Sequence, residues 1–176
     1  MKRPNNKFLA DLAARQQIRD VLVRYCRGAD RCDAGLMQSC FHQDAWDEHG
    51  FFSGSAWEFA GNAASSLAGR FVSTSHFMTN EYVELHGSIA LSETCVLAFM
   101  RLEREGELFD ITFRARYLDR FECREDGWKI GHRQLVSDGN RIDRVTEQDP
   151  RLGQAIGGGR TDRDPSYAFF SSVAPA

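Results

Sequence analysis

Most of the features that mark a functional class are missing from this chain. No window of its 176 residues approaches the ~18 uninterrupted apolar residues of a membrane-spanning helix. The amino end, "MKRPNNKFLADLAARQ", lacks the apolar core and small-residue cleavage site of a secretory signal. These absences point to a soluble, cytoplasmic protein with no membrane partner. A net charge of −3 and interleaved acidic and basic positions leave no sustained basic face, so no nucleic-acid partner is expected. The five cysteines (Cys26, Cys32, Cys40, Cys95, Cys123) contain no C-x-x-C pair, and the odd number fits reduced thiols better than a disulfide frame or a zinc site. G-x-S-x-G is absent, no G-x-G-x-x-G follows a strand, and "GGGR" lies in the tail, which argues against nucleotide cofactors.

What is present begins with a helix. Leu9, Leu12, Ile18, Val21, Leu22, Tyr25 and Ala29 recur at helical spacings and mark one buried face. Gly28 weakens that helix near its end. Asp33 can cap a short second helix through Leu36, Met37 and Phe41, after which "HQDAW" reads as extended and "FFSGS" as a turn. Ser55 can cap a third helix from about Ala56 to Arg70.

The period then changes. "SHFMTNEYVEL", "IALSETCVLAFMRLE", "ELFDITFRARYLDRFE" and "WKIGHRQLV" alternate or run β-branched and aromatic between the turn signals "HGS", "REGE" and "REDG". Four successive antiparallel strands after helices read as α+β, a curved sheet wrapped against N-terminal helices. From Ser137 the pattern fades, which gives a domain over 1–145 and a tail over 146–176 whose "IGGGRTDRDP" is flexible and whose apolar "SYAFF" is expected to dock on the body or on a neighbouring subunit.

Alternation places His76 on one strand face with Met78, Asn80, Tyr82 and Glu84. In the last strand Trp128, Ile130 and His132 oppose Lys129, Gly131 and Arg133, and either set can face inward. In the strand before it the apolar row Phe109, Ile111, Phe113, Ala115, Tyr117, Phe121 lines a core or cavity, with Asp110, Arg114, Arg116 and Arg120 on a solvated face. The cluster His42, Asp44, Asp47, Glu48 and His49 has metal-ligating side chains, but matches neither H-E-x-x-H nor a facial triad; a helix end entering an edge strand explains its polarity, and no metal is expected.

The runs "IRDVLVRYCRGADRCD", "FHQDAWDEHGFFSGSAWEF", "STSHFMTN" and "RYLDRFECREDGWKIGHRQLVSDGNRID" together resemble the SnoaL-like branch of the nuclear transport factor 2-like superfamily over about Phe8 to Val145. The resemblance implies a cone-shaped α+β fold. Within the branch it is closest to the hexachlorocyclohexane dehydrochlorinase and bile-acid 7α-dehydratase group. That group implies a catalytic set of Tyr25, Asp30, His76 and Arg133, with His76 as base, Asp30 orienting it, and Tyr25 and Arg133 as donors. Tyr25, where the dehydrochlorinase carries lysine, favours a hydroxylated carbonyl substrate. The expected pocket lining is Trp46, Trp57, Phe59, Met78, Phe99 and Phe113, suited to a flat or bulky apolar small molecule.

The function expected from these residues is a cofactor-independent lyase or isomerase, a dehydratase-type β-elimination on a steroid-like or polycyclic carbonyl compound. Two other readings compete: a cone that binds a ligand without chemistry, and a small structural subunit of a ring-hydroxylating dioxygenase. The resemblance implies a homo-oligomer, dimer or trimer, and an open sheet with an apolar tail gives a physical motive for covering an edge.

Overall fold

The structure is a computed structural model describing residues 6–173. Helix α1 (Asn6–Arg31) runs into the short α2 (Ala34–Gln38), and strands β1 (Phe41–Glu48) and β2 (Ser53–Ser55) form a hairpin. Helix α3 (Ala56–Arg70) follows, then the long meander β3 (Ser73–His86), β4 (Ile89–Arg104), β5 (Glu107–Arg124) and β6 (Gly127–Arg144), and finally α4 (Pro165–Ser171). The six strands form one sheet in the order β2-β1-β6-β5-β4-β3. Every neighbouring pair is antiparallel except β1 and β6, which are parallel. The helices cover one face of this curved, unclosed sheet, as the α+β reading requires. No described helix is long and apolar enough to cross a membrane.

The buried stripe of α1 is Ile18, Val21, Leu22, Tyr25 and Ala29, which packs with Phe41, Val96, Tyr117, Phe121 and Ile130 of the sheet in one core cluster. Each large aliphatic side chain so buried contributes roughly 1.5–3 kcal/mol of transfer free energy. The glycine near the end of α1 has a packing reason: a Cβ at Gly28 would stand 2.7 Å from Met37 Cγ and 2.9 Å from Met37 N, so only glycine lets α2 fold back this closely.

The end of α1 is closed by its own backbone. Asp33 N donates to Gly28 O and Cys32 N to Ala29 O, the paired bonds of a Schellman closure, with Cys32 in the left-handed region at φ 53° where glycine usually sits. The helix therefore ends at Arg31, with Asp30 in its last turn. Asp33 then caps α2 through Leu36 N at 2.9 Å, and Ser55 caps α3 through Glu58 N at 3.3 Å, both as the sequence predicts.

Irregularities in the strands decide which side chains face the helices. In β3 the register shifts between Met78 and Glu81, so Thr74, His76 and Met78 face inward before the shift and Val83 and Leu85 after it. The predicted single face from His76 to Tyr82 and Glu84 is thus broken, and Tyr82 is 65% exposed. In β6 one shift at Gly131 joins inward Ile130 to inward Arg133, and a second beside Asp138 keeps Asn140 and Ile142 inward. Each extra residue bends its strand and adds twist, which curls the sheet.

Two further differences from the sequence reading concern the ends of elements. β6 continues to Arg144, through residues whose polarity hides a strand that is largely exposed on both faces. β1 is not an edge strand but lies between β2 and β6. Beyond β6 the chain returns to the α1–α2 corner, where Tyr167 Oη donates to Asp33 Oδ2 at 2.7 Å, Arg27 Nη2 to Ser166 Oγ at 3.1 Å, and Arg31 pairs with Asp164.

Candidate active site

The inner face of the sheet and helices α1 and α3 enclose a cavity of about 720 Å3. Hydrogen-bonded register divides the inner face of the sheet, whose first rows form the cavity wall, into rows. One row runs His76, Ala98, Phe113, Asn140, the next Met78, Val96, Ala115, Ser137, then Thr94, Tyr117, Leu135, and finally Val83, Ser92, Asp119, Arg133. Helix α1 contributes Tyr25 and Ala29 from above.

Asp30 and His76 meet at one end of this cavity. Asp30 Oδ1 lies 2.6 Å from His76 Nδ1, and Asp30 Oδ2 accepts the backbone N–H of His76 at 2.9 Å. Both carboxylate oxygens are therefore committed to one residue. Holding Nδ1–H on the carboxylate leaves the Nε2 lone pair toward the cavity, and no described residue takes it. A carboxylate in the last turn of a helix opposes the negative end of the helix dipole at a cost of about 0.3–1 kcal/mol, so its placement serves something other than helix stability.

Arg133 departs from the expected arrangement. It is wholly buried and does not line the cavity. Its Nε and Nη2 each donate at 2.7 Å to the two oxygens of Asp119, itself 3% exposed. The guanidinium packs into the corner between two perpendicular tyrosine rings, with Cζ 4.2 Å from the Tyr25 centroid and 3.9 Å from the Tyr117 centroid. The physical reason is the register. Arg133 pairs with Asp119 and His76 reaches Phe113 through Ala98, so the two rows lie six residues apart along β5, ~20 Å at the usual strand rise. The arginine is a foundation under the tyrosines, not a donor at the dyad.

Tyr25 does line the cavity, meeting Phe41 and Tyr117 edge to face at 5.6 and 5.8 Å. Burial pushes the phenols of Tyr25 and Tyr117 well above the ordinary tyrosine range, against the pull of the Arg133 charge. Both remain neutral O–H donors under ordinary conditions.

Of the six residues expected to line the pocket, Phe59 and Phe113 do so. Trp46 is 48% exposed on the opposite strand face, with Nε1 donating to Ser53 Oγ. Trp57 sits in the first turn of α3, pointing outward, and Phe99 faces outside because its neighbour Ala98 faces in; there it packs against Phe77, also on the outer face. Met78 shares a row with Val96 and Ala115 but packs against the core without lining the cavity.

The cluster at His42 to His49 disperses. His42 is buried against the Glu122 carbonyl at 3.0 Å, and Asp44 pairs outside with Arg124. Glu48 faces out toward His132 and Gln134. Among the described residues no group of three or more histidine, cysteine or acidic side chains could hold a metal ion. Asp47 and His49, however, belong to the cavity. Asp47 is wholly buried, its Oδ1 lies 2.9 Å from His49 Nδ1, and the His49 ring lines the cavity while stacking on Phe59 at 4.3 Å. Sequence reasoning passed over this pair, although alternation puts Ala45, Asp47 and His49 on one face. Asp119 was similarly readable, as an acid in line with Tyr117 and Phe121.

Comparison with known proteins places these observations. The SnoaL-like domain family matches residues 10–134, well over half of the chain. No protein of curated function matches the sequence. Among solved structures, a hexachlorocyclohexane dehydrochlorinase, type 2, superposes with a TM-score of 0.69 at 22% identity, covering 80% of this chain and 94% of that one. A provisionally assigned scytalone dehydratase of Novosphingobium aromaticivorans gives 0.64 at 20% identity, covering 84% and 97%. A variant of Rv3472, a protein of unknown function from Mycobacterium tuberculosis, gives 0.61 at 18% identity and covers 97% of this chain and 89% of its own. These likenesses agree with the nuclear transport factor 2-like fold, and the chain belongs to the SnoaL-like domain family.

Proposed function

We propose that this protein is a cofactor-independent lyase that removes water by β-elimination from a steroid-like or polycyclic carbonyl compound. The observation that carries the reading is the Asp30–His76 pair, 2.6 Å apart, with the imidazole on a cavity of about 720 Å3. The dehydrochlorinase and dehydratase names of structural relatives are in keeping with it.

His76 Nε2 takes the proton from the carbon next to the substrate carbonyl, and the electron pair moves into the carbonyl as an enolate. Collapse of the enolate expels the hydroxyl group on the β carbon and leaves a conjugated double bond. Asp30 keeps the ring in the tautomer with Nε2 free and faces the positive charge that the ring acquires. Proton abstraction of this kind contributes ~10²–10⁴-fold. The neutral Tyr25 hydroxyl, backed by Arg133, supplies the hydrogen bond to the developing enolate oxygen. Apolar walls such as Val96, Ala98, Ile111 and Phe113 select the hydrocarbon skeleton and keep water away.

The test is a mass-shift screen of the purified protein against polycyclic ketones bearing a hydroxyl group β to the carbonyl, beginning with 5-hydroxy-3-ketosteroids. Loss of water identifies the elimination, and deuterium uptake without mass loss identifies proton abstraction alone. His76→Ala and Asp30→Asn are expected to lower turnover by about 10²–10⁴-fold while the protein stays folded. Full turnover in either variant overturns the assignment.

A further inference from the structure

The cavity contains a second imidazole held in the same manner as the first. Five histidines occur in the chain. His42 is tied to a backbone carbonyl, and His86 and His132 lie outside beside Glu84 and Glu48. Of these five, His49 and His76 line the cavity, and both have Nδ1 within 3 Å of a carboxylate, 2.9 Å for the wholly buried Asp47 and 2.6 Å for the partly buried Asp30.

The local chain geometry is built to present His49. β1 and β2 pair through Glu48 and Ser53, and His49 N donates to Phe52 O at 2.7 Å across a two-residue turn. Gly50 takes φ +76° at the first turn position, which such hairpins require and other residues resist. The His49 ring stacks on Phe59 at 4.3 Å and stands 6.5 Å from the Tyr117 ring, whose centroid is 5.8 Å from Tyr25. Its side chain is 14% exposed, and no described residue engages Nε2. Asp47 beneath it is wholly buried, and its other oxygen has no hydrogen-bond partner among the described residues. A buried carboxylate is costly unless paired, and the His49 ring is the donor it has.

Elimination of water needs two proton movements, one off carbon and one onto the departing oxygen. From this, we propose that His49 is the general acid of the reaction, delivering its Nε2 proton to the leaving hydroxyl group. The inference rests on the reading of His76 as the base. In balance, the Cα–H bond breaks and its proton goes to His76 Nε2. The electron pair forms the new C=C bond as the C–O bond breaks, and the His49 Nε2 proton joins the departing oxygen to give water. His76 ends protonated and His49 neutral, and exchange of one proton each with solvent restores both. Asp47 fixes the tautomer of His49 and opposes the charge it carries before transfer. The substrate so defined is a ketone whose leaving group is a poor one, a hydroxyl group that departs only when protonated.

The experiment uses three related probes with the whole protein: a 5-hydroxy-3-ketosteroid, its 5-chloro analogue, whose leaving group departs without a proton, and its 5-deoxy analogue, which reports only α-proton exchange in deuterium oxide. His49→Gln is expected to lose at least 100-fold in dehydration, to keep deuterium exchange on the deoxy ketone, and to recover elimination with the chloro ketone. Asp47→Asn should show the same pattern, more weakly, and melting temperatures check that each variant is folded. Loss of all three activities in folded His49→Gln, or loss of none, overturns the acid role while leaving His76 as base. If the wild type neither exchanges nor eliminates any of the three, the base assignment itself fails and this one with it.

Discussion

Of the carboxylates on the inner face that meet a basic nitrogen, Asp30 and Asp119 have opposite fates. Asp30 meets His76 at the cavity wall, where both side chains keep 12–14% of their surface and the ring has a free nitrogen. Asp119 meets Arg133 three rows deeper, where both are sealed and two tyrosine rings close over the guanidinium. The difference teaches that what a buried pair leaves unsatisfied decides whether it has anything to offer a ligand. The deep pair spends its best donors on itself and shapes the cavity floor. The shallow pair binds one nitrogen and offers the other.

The largest effect should come from breaking the sealed pair. Arg133→Met strands the Asp119 carboxylate without water, and the expected loss is about 3–5 kcal/mol of stability, read as a lower urea midpoint. That is a large fraction of the ~5–15 kcal/mol available to a domain. The double variant Arg133→Met, Asp119→Leu should regain most of it, because no charge is left buried. Asp30→Asn, by contrast, should shift the midpoint little, since both side chains of that pair are still partly reached by water. A stable Arg133→Met protein that has lost only turnover would reverse the comparison and restore the arginine as a donor to substrate.

The comparison also explains what could be seen from the sequence. The two N-caps, the four-stranded meander and the helix stripe from Ile18 to Ala29 follow from local periodicity and capping chemistry and are where expected, whereas Leu9 and Leu12, read into the same stripe, lie beyond the sheet and are exposed. Asp30 and His76 emerged through motif resemblance, since nothing local in "RGAD" or "STSH" says that a helix end meets a strand 46 residues away. What periodicity could not show were the bulges: one residue slipped at Gly131 carries Arg133 to the same face as Ile130, and another shift turns Tyr82 outward. Trp46 and Phe99 were misplaced because aromatic character was weighed above strand parity, which puts their neighbours Ala45 and Ala98 inside. Asp47 and Asp119 were legible by that same parity, as acids in otherwise apolar rows.

A smaller effect should be found in the thiols near the two pairs. Burial pushes Cys26 up to about 12 and Cys40 up to about 11 from an ordinary 9.0, and Cys26 also feels Arg133 pulling down and Asp30 pushing up. In the unfolded chain both thiols ionise near 9.0, whereas the folded chain holds their protons longer. The stability they contribute is therefore complete below pH 9.0 and falls as pH rises through the window up to 11–12. The urea midpoint of the wild type should decline between pH 9.0 and 10.0, before the tyrosines with their ordinary value of 10.0 add to it. Cys26→Ala with Cys40→Ala should flatten that slope; an unchanged slope would show that these thiols are not desolvated as packed.

The smallest effects test where the cavity wall really is. Trp46→Ala and Trp57→Ala remove large rings that are 48% and 36% exposed and outside the lining, so each should change stability by less than about 1 kcal/mol and leave ligand binding as it was. Phe59→Leu is the paired control. Phe59 is 7% exposed, lines the cavity and is stacked on His49, so a smaller, non-planar side chain should loosen that ring at only a modest cost in folding. Binding of the 3-ketosteroid probe, followed by tyrosine and tryptophan fluorescence in the wild type and by calorimetry in the tryptophan variants, should therefore weaken for Phe59→Leu and hold for both tryptophans. Weaker binding on loss of Trp57 would mean that the ligand leaves the cone past the first turn of α3, and the boundary between the sealed floor and the open wall would have to be redrawn there.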